Sequence, residues 1–122
     1  MLSGKVFMSF QNDIPIIQKV YDFYRELYLV VEKMPKKDKY TLGEKTQRAT
    51  LDLIELLISA GYGEKFKKTI PLEQAAIKLD LLKLLVRLSQ DLKAVPTSKY
   101  LSLEEKLQEI GRMLGGWIKS IK

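Results

Sequence analysis

The chain has 122 residues, 46% of them hydrophobic and 30% charged, enough apolar mass for one sizeable core and no room for a second domain. That balance excludes a disordered chain. It also excludes a membrane-embedded one, because apolar runs such as Leu84-Leu85-Val86 are broken within a few residues by Lys or Arg, far short of the roughly 20 residues that span a bilayer.

Cysteine and histidine are absent, which removes the usual thiolate and imidazole ligands of zinc and the commonest nucleophile–base pairs. A net charge of +6 favours an anionic partner. The opening residues lack the basic start and continuous apolar stretch of a signal peptide, so a cytoplasmic protein is expected. Residues 1–12 read as an N-terminal extension, with Lys5 to Phe10 a weak strand candidate, and residues 13–122 as the folded domain.

In that domain the apolar spacing predicts four helices. Helix 1 begins with Asp13 as N-cap and Pro15 in the first turn and runs to Met34, where Pro35 stops it. Its apolar stripe is Ile17, Val20, Tyr21, Tyr24, Leu27, Tyr28 and Val31. Helix 2 opens on the capping box Thr41-Leu42-Gly43-Glu44 and ends at Ala60, with Gly61 as a left-handed cap. Helix 3 runs from Thr69 to about Val95, ahead of Pro96. Helix 4 opens on a second capping box, Ser102-Leu103-Glu104-Glu105, and carries Leu103, Leu107, Ile110, Leu114, Trp117 and Ile121 to the C-terminus. Short connections between long helices predict an all-α, antiparallel up-down-up-down four-helix bundle.

Helix 3 is apolar on two opposite faces. One is Leu72, Ala75, Ala76, Leu79, Leu82 and Val86, and the other is Ile77, Leu81, Leu84, Leu85, Leu88 and Leu92. The second face is expected to be a subunit interface, unless the helix is sunk between three neighbours. Gly111 and Gly115, beside Gly116 and Trp117, are costly in a helix and predict the close approach of another backbone, from this chain or a second copy.

The candidate chemistry is basic. Lys36, Lys37 and Lys39 fall in the first connection and Lys65, Lys67 and Lys68 in the second. An up-down bundle brings the first group to the same end as Lys93 and Lys99, making a patch that would bind phosphates with strong salt dependence. Solvated loop lysines are the plainer reading. Lys83 and Arg87 flank the second face of helix 3 and could meet a partner, or pair internally as Asp80–Lys83 and Arg87–Asp91. Tyr40, Tyr62 and Tyr100 stand at helix junctions, where they could stack on bases or, more simply, cover the bundle ends. Neither a carboxylate pair nor a Gly-rich phosphate loop is present, so no enzymatic activity, metal or cofactor is expected.

Four segments carry a family resemblance: Ile14-Pro15-Ile16-Ile17-Gln18-Lys19, Tyr40-Thr41-Leu42-Gly43-Glu44, Lys78-Leu79-Asp80-Leu81-Leu82, and Glu109-Ile110-Gly111-Arg112-Met113-Leu114-Gly115-Gly116-Trp117-Ile118. With them the chain resembles the accessory variability determinant (Avd) proteins of diversity-generating retroelements and the related bundle proteins encoded in ribosomal RNA intervening sequences. The resemblance implies a pentameric, barrel-like homo-oligomer with a basic surface, which binds a reverse transcriptase and its template RNA and supports mutagenic cDNA synthesis without chemistry of its own. The alternative branch implies a structural oligomer with no essential nucleic-acid contact. Residues 1–12 have no counterpart in the family pattern.

Overall fold

Two prolines frame the bundle. A computed structural model describes residues 15–122, and in it Pro35 and Pro96 are each both stop and start. Both hold the extended backbone of a helix N-cap, with ψ of 144° at Pro35 and 150° at Pro96. The amides of Asp38 and Lys39 then donate to the Pro35 carbonyl, and those of Lys99 and Tyr100 to the Pro96 carbonyl, at 2.8–3.1 Å. A proline that cannot continue one helix thus opens the next at once.

Four long helices result: α1 (Pro15–Glu32), α2 (Glu44–Tyr62), α3 (Thr69–Asp91) and α4 (Thr97–Ser120). Ahead of α2, one α-helical turn (Lys36–Asp38) and a π-helical segment (Lys39–Gly43) continue into it without a break. Each long helix packs on the next in sequence, and α1 closes the square against α4. The described residues hold no strand, so the expected four-helix bundle is the fold. The proposed cap at Asp13 and strand at Lys5 to Phe10 lie outside the described residues.

Both expected capping boxes are corrected. Thr41 lies inside the helical run, and its hydroxyl donates back to the carbonyl of Lys37 at 2.8 Å. Ser102 lies in the second turn of α4 and donates to Glu26 Oε1 of α1 at 3.0 Å. Lys106 reaches the same carboxylate oxygen at 3.0 Å, so one half-buried glutamate ties α1 to α4. Ser/Thr-x-x-Glu signals a helix start only when no earlier residue has opened the helix, and here the prolines had.

Gly61 is helical and α2 runs on to Tyr62, so the expected left-handed cap is absent there. The left-handed residue is Lys93, with φ of 61°. Its amide donates to Gln90 O at 2.9 Å and that of Ala94 to Ser89 O at 2.8 Å. This is a Schellman ending with lysine where glycine is usual, and it stops α3 at Asp91 rather than near Val95.

The core is built from all four helices. Phe23, Leu27, Leu53, Leu57, Leu72, Leu82, Leu107 and Ile110 are fully buried. On α1 the inward stripe is rotated from the expected one: Ile16, Phe23 and Val30 are buried, while Tyr21 and Tyr28 are about half exposed. Thr46, Thr50 and Ser89 are buried with their hydroxyls donating to carbonyls one turn back. Gly43 is the most tightly enclosed of the described glycines, since a Cβ there would sit 2.6 Å from Val31 Cγ1 and 3.1 Å from Met34 Sδ. It lets the start of α2 lie directly on the end of α1.

Candidate nucleic-acid interface

The short connections set the site. Only Lys33, Met34 and Pro35 separate α1 from the helical turn that leads into α2, and only Leu92 to Pro96 separate α3 from α4. Both connections lie at one end of the bundle, called here the upper end. Met34, Ala94 and Val95 are buried there, which holds both connections against the core. The lysines between and beside these apolar anchors are therefore turned outward.

Lys36, Lys37, Lys93 and Lys99 are exposed, and Lys39 is half-buried with its ammonium 5.8 Å from the Tyr40 ring centroid. The first group sits in the opening turns of a helix rather than in a loop, where a cation gains nothing from the helix dipole. Lys99 shares a cleft of about 390 Å³ with Lys33, Pro96 and Ala94. Lys33 went unread in the sequence because it passed for the last turn of helix 1. Its exposure follows from the earlier helix end at Glu32. Among the described residues the ion pairs are Lys19–Glu109, Arg48–Glu44, Lys78–Asp52 and Lys106–Glu26, so none uses an upper-end lysine. The neighbouring carboxylates are Glu26, Glu32, Asp38, Glu44 and Asp91, of which Glu26 is held by Lys106 and Glu44 by Arg48.

The lower end differs. Lys65 and Lys67 are exposed on a single 3₁₀ turn, with Phe66 between them 73% exposed and the Lys67 ammonium 5.6 Å from its ring centroid. Lys68 is committed to the fold. Its ammonium donates to Ala60 O at 2.7 Å and Gly61 O at 3.4 Å, and lies 5.8 Å from the Trp117 ring centroid. It satisfies carbonyls at the end of α2 that would otherwise lack a partner. Phe66 was missed because no periodicity marks a lone aromatic in a loop.

Along the sides of the bundle, Lys83 is half-buried and Arg87 exposed. Neither Asp80–Lys83 nor Arg87–Asp91 closes to ion-pair distance among the described residues. Lys83 instead lies over Gly111, where a Cβ would meet its Nζ at 3.3 Å. Gly115 and Gly116 have nothing within 4 Å of a Cβ, so no close approach within this chain explains them. Trp117 is half-buried at the core's lower edge. Helix α3 packs on α2 and α4 rather than being sunk between three neighbours. On its outer face Ile77, Leu84, Leu88 and Leu92 are exposed, Leu81 is half-buried, and Leu85 belongs to the core. Of the junction tyrosines, Tyr100 packs on the core while Tyr40 and Tyr62 are about half exposed.

Chemically the molecule offers ammonium groups, tyrosine rings and apolar faces. No group of three or more carboxylates placed to hold a metal ion occurs among the described residues. No helix among them is long and apolar enough to cross a membrane. The family model described as bAvd-like matches residues 14–121. No curated relative matches the chain.

Proposed function

Because the chain belongs to the bAvd-like family, we propose that it is a non-enzymatic accessory protein of a diversity-generating retroelement. In this reading it self-associates into a ring, a pentamer by family resemblance, and binds template RNA through the upper-end lysines. It also holds the reverse transcriptase during mutagenic cDNA synthesis. The observation that carries the reading is the gathering of Lys33, Lys36, Lys37, Lys93 and Lys99 at one end, from two connections distant in sequence and without ion-pair partners among the described residues. Ammonium groups that satisfy no carboxylate of their own chain are available to phosphates, and each phosphate neutralised releases a counterion. Repeating one basic end around a ring multiplies a modest charge of +6 per chain into a polyvalent surface.

The test is a titration of the purified protein with a structured RNA at two salt concentrations. Affinity is expected to fall more than about tenfold between roughly 50 and 200 mM salt, with little dependence on RNA sequence. Co-purification with the reverse transcriptase of the same retroelement is the accompanying expectation. Absence of RNA binding at low salt contradicts the reading and leaves a structural oligomer of the intervening-sequence type.

A further inference from the structure

The cleft that holds Lys33 and Lys99 is asymmetric along the bundle axis, and the asymmetry starts in the sequence. One wall is the end of α1, where Glu26 and Lys33 are seven residues apart, share a face and stand about 10 Å apart along the axis. Leu29 and Val30 lie between them, Val30 buried and Leu29 59% exposed. The other wall is the connection into α4. The left-handed turn at Lys93 sends Ala94 inward, Pro96 opens α4, and Lys99 follows in the first turn. The middle of the cleft is therefore apolar, while its charged groups stand at opposite ends.

At the upper mouth Lys33 and Lys99 are exposed, and neither has an ion pair among the described residues. At the far end Glu26 is half-buried, and its Oε1 accepts from the Ser102 hydroxyl and the Lys106 ammonium, both at 3.0 Å. These two bonds fix the carboxylate, whose Oε2 has no partner among the described residues. Ser102 lies one turn below Lys99 on α4, so on both walls the cation stands above the carboxylate. A ligand that fits is anionic at the mouth, apolar in the middle and a hydrogen-bond donor at the far end. An acidic peptide side chain reaching inward would bring its charge toward Glu26, and a hydrocarbon would leave Oε2 unanswered. A nucleotide has the required order: phosphate, then the apolar faces of a base, then an amino edge. The volume of about 390 Å³ suits a small ligand. The cleft lower down between α1 and α4 lacks this order, because it is lined by charged side chains of both signs and Lys19 closes on Glu109 at 3.5 Å.

We infer that this cleft captures one unpaired nucleotide of a bound RNA strand. Lys33 and Lys99 hold its phosphates, the base lies between Leu29 and Pro96, and Glu26 Oε2 accepts from the amino group of the base. An unpaired base is open to such capture, whereas a base in a duplex must first be extruded from its stack. A carboxylate accepts from the N4 amine of cytosine, whereas uracil offers one N–H flanked by two carbonyl oxygens that the carboxylate repels. The cleft therefore prefers single strands to duplex and amino-bearing bases to uracil. The inference rests on the RNA-binding part of the reading above. Any RNA of mixed sequence supplies such a base, so dependence on the sequence as a whole stays small.

Three RNAs of equal length test it by anisotropy titration at neutral pH and one low salt concentration: oligocytidine, oligouridine and a duplex. The parent chain is expected to bind oligocytidine about tenfold more tightly than oligouridine. Glu26→Gln removes a negative charge, so charge alone would preserve or raise its affinity for all three RNAs. The cleft predicts instead that this variant loses or reverses the preference for cytidine while still binding the duplex. Leu29→Gln changes no charge at an exposed helix position, and is expected to weaken both single strands about fivefold and leave the duplex unchanged. A melting curve for each variant confirms folding. Equal affinity of the parent for the two single strands, a Glu26→Gln variant that keeps the cytidine preference, or a Leu29→Gln variant that binds them like the parent overturns the base capture. If the parent binds none of the three RNAs, the RNA-binding reading falls with it. If it binds all three alike, only the cleft's role falls.

Discussion

At the lower end of the bundle Lys68 turns its ammonium onto the carbonyls of Ala60 and Gly61 and over Trp117, beside exposed Lys65 and Lys67, whereas at the upper end Lys36, Lys37, Lys93 and Lys99 all reach solvent, with no ion pair among the described residues. In the sequence these residues look alike, as lysines near helix ends. A cation that terminates a helix is held by the fold and has little left for a ligand. A cation set in the first turn of a helix, as Lys36 and Lys37 are, stands where the dipole disfavours it, so its presence there calls for something other than fold stability. The difference separates structural lysines from available ones, and the two ends respond differently to substitution.

The largest expected effect belongs to the upper end. Changing Lys36, Lys37, Lys93 and Lys99 together to Ala lowers RNA affinity at low salt by roughly a hundredfold or more and flattens the salt dependence, with the fold intact by circular dichroism. The next largest effect is purely structural and sets the scale for the upper end's packing. Gly43→Ala forces a Cβ against Val31 and Met34 and costs about 1–3 kcal/mol in chemical denaturation. At the lower end, Lys68→Ala removes the charge-assisted bonds to Ala60 and Gly61 and costs about 1 kcal/mol of stability. RNA affinity changes little. The smallest effect has the opposite sign: Lys93→Gly relieves the left-handed backbone and stabilises the fold by about 1 kcal/mol while weakening RNA binding only by one phosphate contact. A loss of stability in that variant breaks the Schellman assignment.

The helical turn and π-helical segment over Lys36–Gly43 and the 3₁₀ turn at Lys65–Lys67 read as connections, but the four long helices were legible, since three-four apolar spacing and the prolines mark them. Helix ends were not. The polar signals at Thr41 and Ser102 look like caps, yet Pro35 and Pro96 supply the first accepting carbonyls several residues earlier, and the hydroxyls then turn to Lys37 O and Glu26. The glycine rule pointed to Gly61 for the left-handed cap, but the tertiary position of the connection, with Ala94 and Val95 buried, imposes that conformation on Lys93. The upper-end lysine cluster was legible from topology alone, because an up-down bundle must bring its first and third connections together. The commitment of Lys68 was not, since it depends on where α2 stops and where Trp117 lies. The two seams of α3 could be read from spacing, but the outward tyrosines of α1 could not, because the rotation that exposes Tyr21 and Tyr28 is set by Phe23 and Val30 turning inward.

The most direct measurement is a side-by-side RNA titration of the parent chain, the upper-end variant with Lys36, Lys37, Lys93 and Lys99 changed to Ala, and a lower-end variant with Lys65 and Lys67 changed to Ala, at low and moderate salt. The account predicts that the upper-end variant loses both affinity and salt dependence while the lower-end variant keeps most of each. Equal losses from the two ends, or an upper-end variant that binds like the parent, would contradict it.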